Sequence, residues 1–129
     1  MIPSPSLVTG VDFVTVMTTQ LPAAVEFYET VLGLPCSARY GRDFGAEFET
    51  GNLTLQVIDC ASIGREFRPT TPIALHVDDV EAARAELESR GVSFIHAFDS
   101  GVCHNAFFED PDGNTLLLHH RYAPKSPQG

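Results

Sequence analysis

Residues 11–33 read VDFVTVMTTQLPAAVEFYETVLG, and residues 73–91 read IALHVDDVEAARAELESRG. Each stretch begins with alternating apolar residues, which is typical of a strand, and continues with apolar residues at helical spacing that end at a glycine. A constant offset of 59 residues relates Leu21 to Val80 and Ala24 to Ala83. Such an internal repeat predicts two copies of one structural unit.

Each copy has room for three short strands after its helix. We predict them near 36–40, 43–49 and 53–58 in the first copy, and near 92–97, 103–109 and 115–120 in the second. This order predicts an α+β fold built from two repeated βαβββ modules. We expect a single domain over residues 1–129, with module one at about 11–60, a linker at 61–72 and module two at about 73–120.

Composition limits the function classes. The 129 residues are 43% hydrophobic and 19% charged, as in folded globular proteins, and the formal net charge is −9. Negative charge disfavours nucleic acid as a partner and is compatible with a neutral or cationic small molecule. No apolar run approaches the ~20 residues that span a bilayer, and the N-terminus lacks a secretory signal, so we expect a cytoplasmic protein without a membrane partner. The three cysteines show no spacing that indicates a disulfide framework.

Three motifs, in this order and spacing, resemble the vicinal oxygen chelate superfamily, which includes glyoxalases, bleomycin resistance proteins and extradiol dioxygenases. They are LPAAVEFYETVLGL at residues 21–34, HVDDVEAA at 76–83 followed by Gly91-Val92, and FFEDPDGN at 107–114. The resemblance implies a curved eight-stranded mixed sheet, an open half-barrel, with helices on the convex face and a cleft on the concave face. We interpret the Asp-Pro-Asp-Gly-Asn segment as a structural turn, because Pro111 and Gly113 suit turn geometry.

Enzymes that this chain resembles hold a divalent metal in the cleft through His, Glu or Gln. The resemblance places those positions at Phe13, Pro72 and Leu117, and at Gln56 with Thr54 as an alternative. One amide oxygen does not hold a metal tightly, because such sites usually need three or more protein donors. We therefore predict no metal and no cofactor. A displaced metal site built from histidines remains the alternative.

Strand alternation predicts which side chains line the cleft. Phe13, Thr15 and Met17 lie on the face opposite Val14 and Val16, and the repeat places further residues on the equivalent face. The candidate ligand-binding residues are Phe13, Thr15, Met17, Gln56, Ala74, His76, His104, Leu117 and His119. Gln56, His76 and His119 would be the polar groups of an otherwise apolar pocket, the orientation of His104 is open, and no catalytic residue is assigned. In the competing interpretation, Phe13 and Met17 simply fill core.

The apolar floor favours a binding protein that resembles the bleomycin-resistance branch, in which a homodimer sequesters an aromatic or cationic ligand without metal. The alternative is a lyase, isomerase or dioxygenase-like enzyme with displaced metal ligands, or with His76 or His119 as a base. A third possibility is a subunit whose cleft is filled by its own side chains and serves assembly. We expect the N-terminal arm with Pro3 and Pro5 to reach the partner subunit of the homodimer.

Overall fold

The computed structural model describes residues 6–124. Pro3 and Pro5 of the N-terminal arm, and the chain beyond Pro124, lie outside the described residues. The secondary structure follows the predicted order. The elements are β1 (Phe13–Thr18), α1 (Leu21–Val25) with a π-helical continuation (Glu26–Val31), β2 (Cys36–Tyr40), β3 (Gly45–Glu49), β4 (Thr54–Asp59), a 3-10 turn (Ala61–Ile63), β5 (Ile73–His76), α2 (Val80–Ser89), β6 (Phe94–Asp99), β7 (Cys103–Glu109) and β8 (Thr115–Arg121).

The two helices begin and end as the sequence predicts but differ in geometry. The first helix widens after one turn, since the N–H of Leu32 donates to the carbonyl of Phe27, five residues earlier, at 2.9 Å. Gly33 then ends it with a φ of 74°. Asp79 caps α2, because its carboxylate accepts a hydrogen bond from the N–H of Ala82 at 3.0 Å.

The strands form two four-stranded sheets with the same topology. The first has the order β1-β4-β3-β2 and the second β5-β8-β7-β6. In each sheet the first and last strands of a module pair in parallel and the other pairs are antiparallel. The α+β fold with two βαβββ modules is thus confirmed. The eight strands are divided between two open sheets, because no ladder joins the sheets within residues 6–124.

The first helical segment lies between the two sheets. The ring of Phe27 is 6.4 Å from that of Phe108 on β7, and the ring of the adjacent Tyr28 is 5.7 Å from that of Phe48 on β3. If β1 lay beside β5 in one sheet, β3 and β7 would be five strand spacings apart, about 24 Å. Both sheets therefore turn their helix-covered faces toward one shared core, which includes Val16, Leu55 and Leu116. We call the opposite face of each sheet its outer face.

The predicted turn joins module two to module one through buried hydrogen bonds. The carboxylate of Asp110, 6% exposed, accepts from the hydroxyl of Tyr28 at 2.7 Å and from the backbone N–H groups of Asp112 and Asn114, both at 2.9 Å. The side-chain amide of Asn114 donates to Asp110 and to the carbonyl of Met17, both at 2.8 Å. Burial and the nearby carboxylate of Asp110 raise the pKa of the Tyr28 hydroxyl far above its usual range, so the hydroxyl remains a donor.

A second carboxylate of the same turn contacts the end of β1. Asp112 accepts hydrogen bonds from the hydroxyl of Thr18 and, at 2.9 Å, from the backbone N–H of Thr19. We call Asp110, Asp112 and Asn114 the turn clasp. Their contacts confirm a structural role for the Asp-Pro-Asp-Gly-Asn segment.

Other sequence-based expectations concern the thiols and the membrane. Cys36, Cys60 and Cys103 are all free. None of the helices within residues 6–124 has the length and apolar character needed to cross a bilayer.

Candidate functional site

The outer face of the first sheet carries the predicted residues of module one. Phe13, Thr15 and Met17 alternate along β1 with the core-facing valines, and Phe13 is 52% exposed. Thr15 lies beside Gln56 of β4 in the parallel pair, and its hydroxyl donates to the amide oxygen of Gln56 at 2.9 Å. The structure therefore brings Thr15 and Gln56 together as a polar pair between two apolar side chains, as strand alternation predicts.

Two carboxylates extend this outer face across β3. Glu47 lies beside Gln56, and Glu49 lies beside Thr54, in the antiparallel pair of β3 and β4. Hydrogen bonds from the hydroxyls of Ser37 and Thr54 hold the pKa of Glu49 below its usual range, so this carboxylate is ionised at neutral pH. The first outer face therefore combines an exposed aromatic ring with negative charge.

The outer face of the second sheet carries the predicted residues of module two. Ala74 lies beside Leu117, and His76 beside His119, in the parallel pair of β5 and β8. Asn105 lies beside His119 on β7 and is 9% exposed. An imidazole and a carboxamide therefore occupy neighbouring positions beside the apolar side chain of Leu117.

An aromatic row continues this surface across β7 and β6. The rings of Phe98 and Phe107 are nearly parallel, with centroids 6.1 Å apart and an interplanar angle of 14°. His96 stacks on Phe98 at 5.5 Å and approaches Phe107 at 6.2 Å. Phe98 is 45% exposed, so its ring is available to a ligand. We call His96, Phe98 and Phe107 the aromatic row.

Sequence reasoning missed the aromatic row because of a β-bulge. Phe94 pairs with Phe108, whereas His96 pairs with Phe107. Two steps along β6 therefore correspond to one step along β7, which is a β-bulge. The bulge places Phe94 in the core and His96 with Phe98 on the outer face. An equivalent irregularity in module one, between Cys36 and Ala38, repeats the pattern. His96 lies inside β6 and is exposed on its outer face.

Two predicted histidines lie apart from this surface. His104 pairs with His120 and lies on the helix-side face of β7, where its ring is 4.7 Å from that of Tyr122 and its Nδ1 is 3.7 Å from the carboxylate of Asp99. His76, at the end of β5, has a 69% exposed side chain whose Nε2 is 3.2 Å from the carboxylate of Asp78. His104 therefore does not face the predicted floor, and His76 lies at its margin.

The predicted floor is divided within one chain. Phe13, Thr15, Met17 and Gln56 belong to the first outer face, whereas Ala74, Leu117 and His119 belong to the second. Because both sheets turn their other face toward the shared core, the two outer faces do not face each other. One chain therefore carries the predicted residues on two separate faces.

The sequence profile of the Glyoxalase/Bleomycin resistance protein/Dioxygenase superfamily matches residues 10–118, nearly the whole chain. The chain belongs to this superfamily. No curated protein matches it significantly.

Solved structures of superfamily members share the fold. Lactoylglutathione lyase from Agrobacterium tumefaciens is 18% identical, with a TM-score of 0.75 over 86% of this chain and 92% of that one. A glyoxalase/bleomycin resistance protein/dioxygenase from Nocardioides is 22% identical, with a TM-score of 0.73 over 98% of this chain and 90% of that one. TnmS3, an antibiotic binding protein from Streptomyces sp. CB03234, is also 22% identical, with a TM-score of 0.76 over 91% of this chain and 99% of that one. At these identities the likeness shows the fold alone.

The residues at the superfamily's metal positions do not fit a metal. Phe13, Pro72 and Leu117 have no donor side chain. At the fourth position, the amide oxygen of Gln56 accepts a hydrogen bond from the hydroxyl of Thr15, and the hydroxyl of the alternative Thr54 donates to the carboxylate of Glu49. Within the described part of the chain, no group of three His, Cys, Asp or Glu side chains is placed to hold a metal ion. Metal sites of this kind usually use three or more protein ligands.

We accordingly predict substoichiometric metal in the purified protein. Protein prepared without chelator and dialysed against metal-free buffer is expected to retain far less than one equivalent of iron, zinc, nickel or manganese, because no donor set is present. Elemental analysis by mass spectrometry makes the measurement. Near-stoichiometric metal that survives dialysis would contradict the prediction and favour a displaced histidine site.

Proposed function

We propose that the protein is a cytoplasmic small-molecule binding protein that sequesters a planar aromatic ligand, preferably with a cationic group, without metal. The observation that supports this most is the aromatic row, whose ring of Phe98 is half exposed on the outer face of the second sheet. Flat π-surfaces bind planar aromatic molecules by stacking and burial. His119 and Asn105 lie beside the row and supply hydrogen-bonding groups.

The complete site in this proposal spans a homodimer. One chain exposes the aromatic row on one sheet and Phe13 with Glu47 and Glu49 on the other, and neither face is covered by the other within the chain. A two-fold symmetric pair of chains brings the first outer face of one subunit against the second outer face of its partner, twice. A ligand between them would stack on the row and place its positive charge near the carboxylates.

The name of one superfamily relative supports the binding class. TnmS3 is an antibiotic binding protein and shares the fold over almost its whole length. The alternative class is an enzyme with His119 as a base, since this half-buried imidazole lies on the same face. The two classes differ in what happens to the ligand, which is recovered unchanged from a binding protein and converted by an enzyme.

Native mass spectrometry tests the function directly. The protein is incubated with a set of planar polycyclic molecules that carry an amine, no charge or a carboxylate. We expect saturable adducts with the aromatic amines, weaker adducts with the carboxylates, and ligands released with unchanged mass and chromatographic retention. Absence of any saturable adduct would refute the binding function, and a converted product would favour the enzyme.

Sedimentation equilibrium tests the homodimer. Because each chain exposes a phenylalanine ring on both outer faces and has open strand edges, we expect a species of twice the 14.0 kDa chain mass at micromolar concentration. A monomer at all concentrations up to about 100 μM would contradict a site shared between two subunits. Ligand binding to the aromatic row of a single chain would then be judged by the mass-spectrometric screen.

A further inference from the structure

We infer that the protein has a second binding site, on the helix side of the second sheet, for an uncharged and mainly aliphatic molecule. A cavity of about 640 Å³ lies there, where the end of the first helical segment and the β3–β4 turn meet β5 and α2. This volume is within the range of small-molecule sites. The aliphatic side chains that form its walls are Leu32, Leu34, Leu53, Leu75, Leu87 and Leu118.

The cavity is separate from the proposed aromatic site. Leu75 and Leu118 are register partners on the core-facing side of the second sheet, opposite the face of Leu117 and His119. Ala74 and His76 also border the cavity, and both lie on the edge strand β5. Leucines predominate among its lining residues, which include no Phe or Tyr, so the walls suit a flexible alkyl chain, whereas the outer face suits a flat ring.

The charges at the mouth determine the charge of the ligand. Glu86 is the carboxylate among the lining residues, and it is bonded to the guanidinium of Arg90 at 3.1 Å. Arg90 also donates to the carbonyl of Val31 at 2.8 Å. This hydrogen bond attaches the Glu86–Arg90 ion pair of module two to the helical segment of module one. The one imidazole, of His76, is paired with Asp78. Because these charges are already paired, a charged ligand would lose hydration without gaining a partner.

The free edge of β5 provides neutral hydrogen-bonding groups. The N–H of Val77 donates to the carbonyl of His119 on β8, so the backbone groups of Val77 and Leu75 face β8. Alternation along the strand then turns the backbone groups of Ala74 and His76 toward the unpaired edge, where these residues border the cavity. A hydroxyl, ester or amide at one end of an alkyl chain matches this arrangement.

Calorimetric titration with 1-decanol, decanoate and decylammonium, all below their aggregation concentrations, tests the site. The three probes share the chain and differ in charge. We expect 1-decanol to bind with an affinity at least roughly tenfold higher than either ion. Equal affinities, or no saturable binding of 1-decanol, would overturn the proposal.

Matched variants of α2 locate the binding. Ala83 lines the cavity, whereas the adjacent Ala82 is exposed on the same helix. Ala83→Phe is expected to lower 1-decanol affinity at least roughly tenfold by filling the cavity, and Ala82→Phe to leave it unchanged. If Ala83→Phe does not fold, as judged by circular dichroism, Leu53→Phe on the opposite wall replaces it.

Two further variants separate this site from other occupants. Phe98→Ala, on the outer face, is expected to leave 1-decanol binding unchanged. If this variant no longer bound 1-decanol, the binding would be assigned to the aromatic row instead. Deletion of residues 1–11 is also expected to have no effect. If 1-decanol bound only after the deletion, the N-terminal segment, whose Leu7 and Val8 are exposed, would be the natural occupant and the ligand proposal would be overturned.

Discussion

Asp110→Ala is expected to lower the free energy of unfolding by about 3–5 kcal/mol, because it leaves several buried donors without an acceptor. The carboxylate accepts the hydroxyl of Tyr28, the N–H groups of Asp112 and Asn114, and the side-chain amide of Asn114. Tyr28 is fully buried, so water does not replace the lost acceptor. The same change removes the link between the π-helical segment of module one and the turn of module two.

Urea unfolding followed by circular dichroism, at one fixed protein concentration, measures this effect. Asp78→Ala is the matched control, since its carboxylate is 99% exposed and contacts only His76, and it is expected to change stability by less than about 0.5 kcal/mol. Tyr28→Phe is expected to cost about 1–2 kcal/mol, because one bond is lost while the carboxylate keeps its other donors. If Asp110→Ala were no more destabilising than Asp78→Ala, the turn clasp would not hold the modules together.

Phe98→Ala is expected to weaken binding of a planar aromatic ligand by roughly 10- to 100-fold. Loss of a ring that stacks on the ligand removes about 1.5–3 kcal/mol of burial and stacking. The fold should be unaffected, because Phe98 is 45% exposed and lies on the edge strand β6. Titration of the best aromatic amine from the mass-spectrometric screen gives the two dissociation constants.

Ile95→Ala provides the control for this loss. Ile95 lies on the same strand, at the bulge, and is 62% exposed without belonging to the aromatic row. Its removal is expected to change affinity by less than about twofold. Equal losses in Phe98→Ala and Ile95→Ala would indicate a general effect on β6 and not stacking on the row.

The repeat made the fold predictable from sequence. The constant offset that relates Leu21 to Val80 predicts both modules, and the alternation along β1 places Phe13 and Thr15 on the face away from the core. The Asp-Pro-Asp-Gly-Asn turn was also predictable, because its residue types specify turn geometry locally. These features depend on periodicity and on short-range chemistry.

The remainder of the site depends on contacts that periodicity does not encode. A one-residue bulge changes which face of the sheet Phe98 occupies. The pattern of apolar residues along β6 does not reveal whether the strand contains such a bulge. Likewise, alternation shows that Thr15 and Ala74 both lie on outer faces, but not whether these faces face each other. That relation depends on Phe27 packing against Phe108 of the other module.

A crystal structure of the protein with the tightest aromatic ligand tests the central claim most directly. We expect the ligand ring to lie parallel to Phe98 and Phe107 at stacking distance, about 3.5–4 Å between carbon atoms, with His119 or Asn105 within hydrogen-bonding distance. A cationic group should lie near Glu47 or Glu49 of the partner subunit. A ligand bound elsewhere, with the ring of Phe98 uncovered, would contradict the account.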